Sequence, residues 1–120
     1  MAAKDAPQAT FGQTIQRLRR ENGLTQRQLA GELGVDFTYL SKLENDRGER
    51  PSEKLVRQLA ARCGVDPEDL LALAGRLPEE LGARAKDDLT FARLLRRLPE
   101  MTEKELEKIY HQAKVGKPRK

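Results

Sequence analysis

Gly34 constrains this chain more than any other residue. It stands between two short amphipathic segments in the stretch TQRQLAGELGVDFTYLSKLEN, Thr25 to Asn45. Leu29, Ala30 and Leu33 give the first segment an apolar stripe, and Tyr39, Leu40 and Leu43 give one to the second. Only about three residues separate the two, and a connection that short makes the helices cross steeply instead of lying antiparallel. The chain must turn left-handed after the first helix, a conformation glycine adopts without steric penalty. Ala30 is small where crossing helices approach most closely, and Val35 fills the angle between them. The stretch is a helix-turn-helix candidate, and its surroundings must supply the rest of a core.

Helical signals surround it on both sides. Thr10 caps a first helix through Glu21, with Phe11, Ile15 and Leu18 on one face and Asn22-Gly23 at its end. Thr25 and Gln28 form a capping box for the second helix. Asp36 caps the third, which runs to about Asn45, and Asp46 to Pro51 reads as an exposed loop. Ser52 starts a fourth helix that turns Leu55, Val56, Leu59, Ala60 and Cys63 inward and ends at Gly64. Asp66-Pro67 is a cap followed by proline at the first helical position, opening a fifth helix that Gly75 ends. The expected fold is all-α, with five helices in residues 10–75. Residues 1–9 read as a disordered leader and 116–120 as a basic tail.

Residues 76–115 have a different character. A short helix is expected over Leu77 to Ala85. Asp87 to Leu98 places Phe91, Leu94, Leu95 and Leu98 on one stripe, with Arg93, Arg96 and Arg97 off it and Pro99 as a stop. Thr102 and Glu105 form another capping box before a second stripe of Leu106, Ile109, Tyr110 and Ala113. Each stripe is narrow, like the seam of paired helices. Two or three C-terminal helices are thus expected to dimerise through Phe91, Leu94, Leu95, Leu98, Leu106, Ile109 and Tyr110. Docking of another protein, or simple packing onto the first five helices, are the other readings.

Composition excludes several function classes. With 38% hydrophobic residues, two Tyr, three Phe and no Trp, any core must be lean and aliphatic. Cys63 has no second cysteine to pair with, and no Cys/His cluster can hold a metal; it is read as a small buried hydrophobe rather than a redox sensor. No nucleophile sits beside a base and no glycine-rich loop cradles phosphate, so no catalytic residue, cofactor or enzymatic activity is expected. There is no apolar run of membrane-spanning length and no signal-peptide pattern, and the chain is expected to be cytoplasmic. The net charge of +4 suits an anionic partner. Residues 10–50 carry seven Lys/Arg against six Asp/Glu, whereas 76–120 carry twelve against eight, so the excess lies mostly outside the candidate motif.

Residues 11–74 resemble the Cro/repressor-type helix-turn-helix domain, the XRE family, whose fold is lambda-repressor-like. The resemblance rests on Leu24, Thr25, Gln26, Leu29, Ala30, Gly34, Val35, Leu40, Ser41, Leu43, Glu44, Asn45, Pro51 and Ser52 in register. It implies that Thr25, Gln26 and Asn45 hold DNA phosphates, with Arg47 and Arg50 beside the same backbone. It implies that Asp36, Phe37, Thr38 and Lys42 face the bases of the major groove. Phe37 and Thr38 suit a thymine methyl and Lys42 suits guanine O6 or N7. If Phe37 packs under a C-terminal helix instead, Thr38 and Lys42 are left to read. Arg19 and Glu44 match a partly buried ion pair. Two departures stand out: Asp46 replaces a frequent glycine, with a charge that repels phosphate, and Phe37 replaces a polar base reader. The resemblance implies a DNA-binding transcription regulator, a homodimeric repressor on an inverted-repeat operator of double-stranded DNA. The alternative is an antitoxin-type module whose C-terminal helices bind a partner protein.

Overall fold

The computed structural model describes residues 9–115, and it is helical throughout its regular structure. The leader up to residue 8 and the basic tail at 116–120 lie outside the described residues. Backbone contacts divide the chain into two units, with the boundary between Pro78 and Glu79.

The first unit holds α1 (Phe11–Glu21), α2 (Gln26–Leu33), α3 (Phe37–Glu44), α4 (Glu53–Cys63) and α5 (Pro67–Leu73). Each begins at a side chain that answers orphan backbone N–H groups. Thr10 and Gln13 form a reciprocal capping box on α1, and Thr25 and Gln28 form another on α2. Asp36, Ser52 and Asp66 cap α3, α4 and α5. Gly34 closes α2 at φ 73°, a left-handed value that a Cβ would oppose. Ile15, Leu29, Leu40, Val56 and Leu59 are fully buried, one or two from each of the first four helices, and Leu70 and Leu71 seal them from α5. Phe11, Leu24, Val35 and Tyr39 pack at the edge of this core. Cys63 is half-buried rather than fully inward.

Gly12 explains how α1 meets the end of α3. A Cβ there would stand 2.6 Å from the carbonyl oxygens of both Leu43 and Glu44. Those acceptors belong to the backbone and cannot swing aside, so only glycine permits the contact. The first turn of α1 is thereby pressed against the last turn of α3.

The second unit contains α6 (Glu80–Asp87), α7 (Leu89–Arg97), a 3-10 turn (Leu98–Glu100) and α8 (Glu103–Val115). Helix α6 starts three residues later than expected because Pro78 precedes it and disfavours helical backbone at Leu77. Asp88 caps α7 by accepting from the Phe91 N–H at 3.0 Å. Thr102 and Glu105 bond each other's backbone N–H at the start of α8. From Glu79 to Lys114 no residue is buried.

Candidate nucleic-acid interface

Helices α2 and α3 present their N-termini beside one another, joined by Gly34-Val35-Asp36. Helix α2 is capped by the neutral Thr25 and has no acidic residue in its first turn, so the partial positive charge of its N-terminus is not cancelled, whereas the Asp36 carboxylate caps α3. Thr38 and Lys42 are exposed on α3, one helical turn apart, and neither side chain has a hydrogen-bond partner among the described residues. Arg47 is exposed in the loop that follows and makes no ion pair among the described residues.

Behind this face lies a buried polar cluster. Arg19 Nε donates to Glu44 Oε2 at 2.7 Å and Arg19 Nη2 donates to Glu44 Oε1 at 3.1 Å. Arg19 Nη1 reaches the Leu24 carbonyl at 2.9 Å, and Gln26 Nε2 donates to Glu44 Oε1 at 2.9 Å. Glu44 has no exposed side-chain surface and Arg19 almost none. One carboxylate at the end of α3 therefore ties together α1, the α1–α2 turn and the first residue of α2.

A helix-turn-helix domain family model matches residues 10–73, more than half of the chain. The chain belongs to the helix-turn-helix family of DNA-binding proteins. It is 39% identical over 74 residues to the HTH-type transcriptional regulator RghRB of Bacillus subtilis, covering 59% of this chain and 53% of that one. It is 34% identical over 76 residues to the HTH-type transcriptional repressor RghR of the same organism, covering 63% and 56%. It is 33% identical over 88 residues to the HTH-type transcriptional regulator DdrOP3 of Deinococcus deserti, covering 67% of each. The matched part spans about half the length of the two Bacillus relatives.

Within this helix-turn-helix unit, several site residues expected from the sequence have intramolecular partners. The Gln26 amide is turned toward Glu44, which leaves the helix N-terminus itself as the outward donor set. The Thr25 hydroxyl accepts from the Gln28 N–H, and the Asp36 carboxylate accepts from the Thr38 N–H, so both serve as caps. Asn45 Nδ2 donates back to the Ser41 carbonyl at 2.8 Å. Arg50 does not stand free: its Nη1 donates to the Gly75 carbonyl at 2.9 Å. Arg76 answers in the opposite sense, with Nε and Nη2 on the Pro51 carbonyl at 3.1 and 2.8 Å. The two arginines form a reciprocal clasp between the α3–α4 loop and the exit of α5.

Asp46 corrects a sequence expectation. Its backbone is left-handed at φ 58°, which Asp adopts more readily than most residues. Its carboxylate does not face outward. Oδ2 accepts from the Thr10 hydroxyl at 2.6 Å and Oδ1 from the Gly12 N–H at 2.9 Å, at the positive end of α1. The charge is satisfied within the unit.

The helix-turn-helix face also includes a residue that sequence reasoning missed. Arg27, second in α2, lays its guanidinium over the Phe37 ring, with Cζ 4.4 Å from the ring centroid. Phe37 is the first residue of α3 and stays 36% exposed. Elsewhere, burial pushes the Cys63 thiol above its ordinary pKa, only partly opposed by Arg62. The shift favours the protonated thiol over the thiolate at neutral pH.

Proposed function

We propose that this protein is a transcriptional repressor that binds an inverted-repeat operator as a homodimer. Thr38 and Lys42 read bases from α3 in the major groove. The N-terminus of α2, at Thr25 and Gln26, holds a phosphate through backbone N–H groups, and Arg47 holds another. Asn45 and Arg50 shape the adjacent loop, within reach of the same backbone. Two copies of α3 would lie in successive major grooves, about 34 Å apart. Bound at a promoter, the dimer occludes polymerase. The observation that carries this reading is the outward face of α3. Thr38 and Lys42 are exposed and without hydrogen-bond partners, while no buried side-chain nitrogen or oxygen lacks one, among the described residues.

Selection of bound sequences from random double-stranded DNA tests it. The expected product is an inverted repeat with half-site centres one helical turn apart, or a multiple of that. Lys42→Ala should relax preference at one base position, whereas Arg47→Ala should weaken all sequences alike and lower the salt slope by about one. Enrichment of no motif, or of single unpaired half-sites, would refute the operator reading.

A further inference from the structure

We propose that Arg27 reads a guanine, and that Phe37 is the platform that orients it. The pair bridges the N-termini of α2 and α3, and this face also displays Thr38 and Lys42. Arg17, Arg19, Arg57, Arg62 and Arg84 are each paired with a carboxylate, but Arg27 makes no ion pair among the described residues. Its partner is a ring face instead. Cation–π attraction holds the guanidinium over the ring, and its N–H donors make no hydrogen bond among the described residues. Guanine presents O6 and N7 side by side in the major groove, and two parallel donors match them.

A phosphate contact is the weaker use of this geometry. Arg27 leans away from the body of α2 toward the first residue of α3, the helix that enters the groove. The backbone N–H groups of α2 already offer a phosphate site nearby. The stack also changes the role of Phe37. Arg27 covers one face of the ring, so Phe37 acts by positioning its neighbour rather than by meeting a thymine methyl with that face. A polar base reader at residue 37 would provide no such platform, which gives the unusual aromatic a purpose.

The inference rests on α3 lying in the major groove, and one experiment separates the two. Sequences bound by the full chain are selected from random double-stranded DNA and compared with those bound by Arg27→Ala, Arg27→Lys, Phe37→Leu and Lys42→Ala. Arg27 and Phe37 are exposed, and circular dichroism checks that the variants stay folded. Arg27→Ala should erase preference for guanine at one position, a loss of roughly 5- to 150-fold in discrimination. Phe37→Leu should blunt the same position, and Arg27→Lys should not restore it. Replacing that guanine by 7-deazaguanine should weaken the parent and leave Arg27→Ala unaffected. If Arg27→Ala lowers affinity for all sequences equally, the residue holds phosphate and the proposal is wrong. If Phe37→Leu leaves the guanine preference intact, the platform is wrong. A motif changed by Lys42→Ala but not by Arg27→Ala removes Arg27 alone. A parent that enriches no motif removes the placement of α3 and this proposal with it.

Discussion

Glu44 is the residue on which the binding face depends most, although it touches no solvent. Its two oxygens receive Arg19 from α1 and Gln26 from α2, and no buried side-chain nitrogen or oxygen among the described residues lacks a partner. Removing one member leaves the other charged and buried without its partner. Glu44→Ala should therefore destabilise the unit by about 3–5 kcal/mol, read as a shift of the urea midpoint. The exposed Arg17–Glu21 pair on α1 is the control, since truncating Glu21 should cost about 1 kcal/mol or less. Equal losses for the two variants would show that the cluster is not the keystone this geometry implies. Destabilisation should also reach DNA binding, because Glu44 holds Gln26 at the start of α2.

Helix α7 carries a titratable cap. Asp88 accepts from the Phe91 N–H and from Arg84, whose Nε and Nη2 lie 3.2 and 3.1 Å away. These bonds, the backbone one first, pull its pKa below the usual 3.8. A carboxylate whose folded value is lowered stabilises the fold above its unfolded pKa, and that contribution is lost as the pH falls through the folded value. The amides of Leu89 to Arg97 should thus lose protection, relative to their intrinsic exchange rates at each pH, on acidification below about pH 4. Asp88→Asn keeps an acceptor without the charge, and should remove that acid sensitivity; amide exchange measured by NMR decides it. Caps of this kind were largely legible in the sequence. Thr10, Thr25, Asp36, Ser52, Asp66 and Thr102 each act within three residues, so their signals lie side by side in the chain. What the sequence concealed joins distant positions. Asp46 reaches back to Thr10 and Gly12, Arg50 reaches to Gly75, and Arg27 finds Phe37 across the turn. No periodicity encodes such pairs. Gly12 is at most an ambiguous hint, since Gly31 and Gly82 also lie inside helices and meet nothing.

At the scale of the molecule, the two units differ in what they bury. The first has a continuous aliphatic core. The second has caps on α7 and α8 yet no buried residue between Glu79 and Lys114, and Leu94 and Tyr110 remain 43% and 59% exposed. Apolar stripes left so open suit a partner surface, and in the proposed homodimer a second copy of the same stripes would be that surface. The full chain should therefore sediment as a dimer, with dissociation on dilution. Leu94→Asp with Leu95→Asp should shift it to monomer, while residues 10–78 keep their helices. A parent that is monomeric at every concentration would leave the stripes to a different protein. The clasp of Arg50 on Gly75 and Arg76 on Pro51 has a consequence for descent. It closes the first unit with bonds contained wholly within that unit, before the chain crosses Pro78. Everything beyond that point can be exchanged by recombination without disturbing a single bond of the clasp. A unit sealed in this way should keep its fold when the segment after Pro78 is replaced by an unrelated one.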